Sequence, residues 1–166
     1  MLTTAGAILI SALFAVIIGL FTISQQRAIA RKRAIIDLIV RSEEEEFQKL
    51  VDDYCVIRAK LGGLVQYAKL AKDLSAEELK DVGVIDTYFN HYELIAIGID
   101  QGILDKEIYK LWMMADTVND WNLAQEYISK VREIAPRHAK NFCYFEALAL
   151  EWGGKPIQKS EESKTA

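Results

Sequence analysis

Asn90 and Glu93 stand one helical turn apart in the most apolar stretch of the chain, Tyr88-Phe89-Asn90-His91-Tyr92-Glu93-Leu94-Ile95-Ala96-Ile97-Gly98-Ile99. A carboxylate carried into such surroundings is costly unless a cation pairs with it or a proton neutralises it. Glu93 is therefore expected to be a buried polar residue paired with Arg58 or Arg132, and Asn90 to hydrogen-bond to a neighbouring helix. A structural ion pair is the simpler role, and an enzymatic site around Asn90 and Glu93 is the chemical one. His91, His138, Asn141 and Cys143 include the residue types of a thiol protease, but no motif sets them out as nucleophile and base. His91-x-Glu93 lacks the spacing that puts two metal ligands on one helical face. There is no phosphate-cradling Gly-rich loop, nucleophile elbow or dinucleotide fingerprint. The expectation is a chain with no catalytic, metal or cofactor set.

The elements that position these residues begin with an apolar segment. Met1 to Gln26 holds no charged side chain, and Leu2 to Ile23 is dominated by Leu, Ile, Val, Ala and Phe. A bilayer core of roughly 30 Å needs about 20 helical residues, so residues 1–26 read as a single transmembrane anchor. A cleaved signal peptide would want a basic segment first and a small-x-small cleavage site; Ser24-Gln25-Gln26 is a poor one. Ala7, Ser11, Ala15 and Gly19 recur every fourth residue, the spacing at which small side chains let two membrane helices approach closely. Their partner would be a second copy or another membrane protein.

Arg27, Arg31, Lys32 and Arg33 follow the span directly, in a helical stalk over 27–41. By the positive-inside rule they leave the N-terminus outside and place the rest in the cytosol. They also suit anionic lipid headgroups. Four of the 20 Lys+Arg lie between Arg27 and Arg33, so that stretch carries +4 and the remainder, with all 24 Asp+Glu, −8. An acidic domain argues against nucleic acid as a partner. Cys55 and Cys143, without CxxC spacing, fit reduced structural thiols.

The domain, 42–154, reads as all-α. Ser42 with Glu45 has capping-box spacing, and Phe47, Leu50, Val51, Tyr54, Ile57 and Leu61 carry an apolar face to a break at Gly62-Gly63. A short helix from Leu64 to Lys72, a second capping box at Ser75 and Glu78, and a short helical turn over Leu79–Gly83 follow. Ile85 to Ile99 is the buried central helix, with Gly102 as its C-terminal cap. Asp105 caps a helix through Trp112 and Ala115; another starts at Asn119 or Asp120 and runs to Ile134 before Pro136. Ala139 to Trp152 forms the last helix, and residues 155–166 read as a disordered tail. Trp112, Trp121 and Trp152 are expected in the core, with interface anchors as their second role. The segment Ala124 to Leu148 suits a helical hairpin of the tetratricopeptide type, but a repeat fold needs about three copies and one is seen.

The Tyr88–Ile99 block, followed by Gly102-Ile103-Leu104-Asp105-Lys106-Glu107 and Trp112, resembles an uncharacterised family of small bacterial and prophage proteins, a domain of unknown function. Arg33-Ala34-Ile35-Ile36-Asp37-Leu38-Ile39 and the Phe145-to-Trp152 segment are similar too. The resemblance implies a membrane span with a helical cytoplasmic domain, a bacterial source, and phage exclusion or defence as a setting; it implies no catalytic residues. The leading expectation is a membrane-tethered protein-interaction module at the cytoplasmic face of a bacterial inner membrane. The alternative is a structural accessory subunit of a larger membrane complex.

Overall fold

The computed structural model describes residues 4–134 and 136–157, and the side chains of Thr4, Ala5, 7–10 and Pro136 lie outside that description. Among the described residues every regular element is helical: α1 (Thr4–Ser42), α2 (Glu45–Arg58), α3 (Ala76–Asp100), α4 (Lys106–Ile134) and α5 (Cys143–Glu151), with three short 3-10 turns.

Helix α1 is a single rod of 39 residues, roughly 58 Å at 1.5 Å per residue. With no Gly or Pro after Gly19 to interrupt it, the apolar segment continues through the basic stalk as one helix. It is long and apolar enough to cross a membrane. At its far end it joins the domain: Ile35 is fully buried, and Leu38 and Ile39 pack in the same cluster with Ile95, Ala96, Tyr109, Leu148 and Trp152. The neighbouring Ile36 is exposed. The stalk is thus amphipathic where it meets the domain.

The Ser42 capping box does not form. Because α1 extends through Ser42, its hydroxyl donates back to Ile39 O at 2.6 Å, and α2 starts after Glu44 without a side-chain cap. Gly62 (φ 93°) and Gly63 (φ 57°) break the chain after α2 in the left-handed region, as their pairing suggests. The expected helix over 64–72 is instead two 3-10 turns, Leu64–Tyr67 and Ala71–Asp73.

Helix α3 opens with the expected capping box: Ser75 Oγ accepts from Glu78 N at 3.2 Å, and Ser75 N donates to the Glu78 carboxylate at 2.8 Å. Those bonds, with Lys69, hold the Glu78 carboxyl down at about 2. The helix runs unbroken from Ala76, absorbing the turn expected over 79–83. Its Ile85, Phe89 and Tyr92 occupy the core, packed on α2 and α5. Gly102 (φ 65°) ends it, with Ile103 N and Leu104 N donating to Gly98 O.

Asp105 caps α4 by accepting from Ile108 N at 3.1 Å. The second start expected at Asn119 or Asp120 is absent, and one helix of 29 residues spans both segments. Asp120 turns its carboxylate across the core instead of back to its own backbone. Helix α5 is shorter than expected, because Phe142 adopts a left-handed conformation (φ 59°) immediately before it. Lys155 and Ile157, expected in the tail, are held against the domain: Lys155 N donates to Asn122 Oδ1, Trp121 Nε1 donates to Lys155 O, both at 2.8 Å, and Ile157 packs on the core. Residues 158–166 lie outside the described set.

Candidate functional site

Among the described residues, Asp120 is the pivot of the most elaborate polar cluster. It is 5% exposed, and its carboxylate accepts from the Tyr88 hydroxyl at 2.5 Å, the Tyr92 hydroxyl at 3.0 Å and Arg58 Nη1 at 3.2 Å. The positions follow from helical geometry. Tyr88 and Tyr92 are four apart on α3 and so share a face, Arg58 ends α2, and Asp120 lies midway along α4. A buried carboxylate needs such donors, since an unpaired one would cost several kcal/mol. Burial, and then the Asp120 charge, pushes the Tyr88 hydroxyl well above its usual range. Burial does the same to Tyr92, reinforced by Tyr88 and Asp120. Both phenols therefore stay protonated as donors.

This cluster forms one wall of a cavity of about 350 Å³. The end of α1 contributes Ser42, the turn after it Glu43, and α2 contributes Phe47, Gln48, Val51, Cys55 and Arg58. Helix α3 adds His91 beside the tyrosines; α4 adds Tyr109, Trp112, Met113, Asp116 and Asn119. Aromatic rings are set against one another around it. Phe47 and His91 stand 4.6 Å apart, Tyr88 and Tyr92 5.5 Å edge to face, and Tyr109 and Trp112 5.9 Å edge to face. Burial lowers the His91 pKa, favouring the neutral imidazole. Chemically the arrangement offers carboxylates, one guanidinium and the half-buried rings of Phe47, His91 and Trp112, while Tyr88, Tyr92 and Tyr109 are buried. Cys55 and His91 both line it, but among the described residues the Cys55 sulfur contacts Arg58 Nη2 at 4.0 Å and no hydrogen bond joins it to His91. Among the described residues, too, no three His, Cys, Asp or Glu side chains gather closely enough to hold a metal ion.

The residues singled out from sequence lie elsewhere or serve other ends. Asn90 is exposed, not buried, because it sits on the side of α3 opposite Phe89 and Tyr92. Glu93 is half-buried and pairs with neither arginine. Its carboxylate caps α5, accepting from Phe145 N at 2.7 Å and Tyr144 N at 3.3 Å, with Cys143 Sγ at 3.8 Å. The expected partners are committed otherwise: Arg58 to Asp120, and Arg132 to Glu146 at 2.7 Å and to Asn141 O. Both nitrogens of His138 are engaged by Arg137 and Asn141, so it is not assembled with Cys143 into a nucleophile–base pair. Arg27, Arg31, Lys32 and Arg33 are exposed along α1. Ser11 and Ala15 are exposed, and a Cβ on Gly19 would meet no atom within 4 Å; the Ala7 side chain lies outside the described ones. Trp121 and Trp152 are core residues, whereas Trp112 is half-buried at the cavity. Sequence reasoning missed Asp120, which its position made look like a helix cap, and the Tyr88/Tyr92 pair, whose four-residue spacing was the one available signal.

The family model for a domain of unknown function, DUF4760, matches residues 9–152. No curated protein and no solved structure matches the chain.

Proposed function

The chain belongs to the DUF4760 family, and from that premise we propose that it is a membrane-tethered protein-interaction module held at the cytoplasmic face of a bacterial inner membrane. The observation that carries this reading is the continuity of α1. One helix leads from an apolar stretch, through exposed Arg27, Arg31, Lys32 and Arg33, to Ile35 fully buried in the domain. A domain packed on the foot of its own anchor is held at a fixed height and orientation, as a tether requires. The basic turn would meet anionic headgroups with the N-terminus outside. Leu94 (68% exposed) and Leu111 (88% exposed) leave apolar surface on α3 and α4 for a protein partner. The Ala7, Ser11, Ala15 and Gly19 row suits close approach of a second membrane helix, a second copy included.

Cys55 is exposed and so reports the side of the membrane. A membrane-impermeant maleimide is expected to label it in inverted vesicles and to leave it unmodified in intact spheroplasts. Labelling from the outside would overturn the orientation, and recovery of the full chain in the soluble fraction would overturn the tether.

A further inference from the structure

We draw no further inference here: the strongest candidate, the shallow groove along the stalk of α1 lined by Gln26, Ile29, Ala30, Arg33, Ala34 and Asp37, is an unpartnered helix face, and nothing in the structure shows what covers it.

Discussion

The Tyr88 hydroxyl donates to the Asp120 carboxylate over 2.5 Å, joining the central helix α3 to α4 through a bond buried from solvent. With Tyr92 from the next turn of α3 and Arg58 from α2, one carboxylate ties together three helices. The two sides of this cluster are not equivalent. Asp120 is the common acceptor, whereas the Arg58 side chain is 33% exposed and can be hydrated.

Removing the acceptor should therefore cost more than removing the cation. Asp120→Ala is expected to destabilise the full chain by about 3 kcal/mol, because it strands two phenols and a guanidinium. Arg58→Ala should cost about 1 kcal/mol, since water reaches that side of the pair. Thermal unfolding in detergent checks the order; equal losses would show that the ion pair, and not the phenol donors, dominates.

Glu93 acts on a different helix from the one that carries it. Glu93→Ala should cost about 1–2 kcal/mol, as loss of a helix cap does, and should speed amide exchange at Tyr144 and Phe145 before it does so elsewhere. Glu93→Gln keeps one acceptor oxygen and should recover much of the loss. Uniform acceleration along α5 and α4 alike would contradict a local capping role.

These two cases mark where the sequence could be read and where it could not. Ser75 with Glu78, the Gly62-Gly63 break, Gly102 and Asp105 announce themselves because the groups they satisfy lie within four residues. Ser42 with Glu45 has the same spacing as Ser75 with Glu78 and yet fails, because α1 runs on through Ser42 and holds its hydroxyl. Asp120 has the residue type of a cap and becomes a core acceptor, since Arg58 and Tyr88 lie 62 and 32 residues away along the chain. The charge of Glu93 foretold a partner, but local patterning cannot say that the partner is the backbone of α5, 51 and 52 residues on. The fold class was legible in the apolar periodicity; the cavity exists only once α2, α3 and α4 are packed.

Asp86 offers a stability test with a definite sign. Burial raises its carboxyl above the ordinary aspartate range, outweighing the Tyr127 hydroxyl, which donates at 3.4 Å, and the nearby His138. A group raised on folding lends its stability below the unfolded pKa and loses it as pH climbs through the folded one. Asp86→Asn should then raise the melting temperature at neutral pH, with the gain vanishing as pH falls below the aspartate range. A gain that persists unchanged into acid would show that the charge is not its source.

Gly154 is required by packing against backbone. A Cβ there would lie 2.8 Å from Ala149 O and 3.0 Å from Trp121 Cδ1. Gly154→Ala should cost about 1–3 kcal/mol and loosen the Trp121–Lys155 bond, seen as a red shift and quenching of tryptophan fluorescence. An unchanged spectrum and melting point would mean that this segment moves aside freely.

In the proposed tether the domain is docked on the cytosolic foot of its membrane anchor. A cysteine scan over 33–40, in a Cys55→Ser, Cys143→Ser background, tests it most directly with impermeant maleimide in inverted vesicles. Fast labelling is expected at 33, 36, 37 and 40, where the side chains are exposed, and protection at 35, 38 and 39, which face the domain. Equal labelling at every position would contradict docking, and labelling only from the opposite face of the membrane would contradict the tether's orientation.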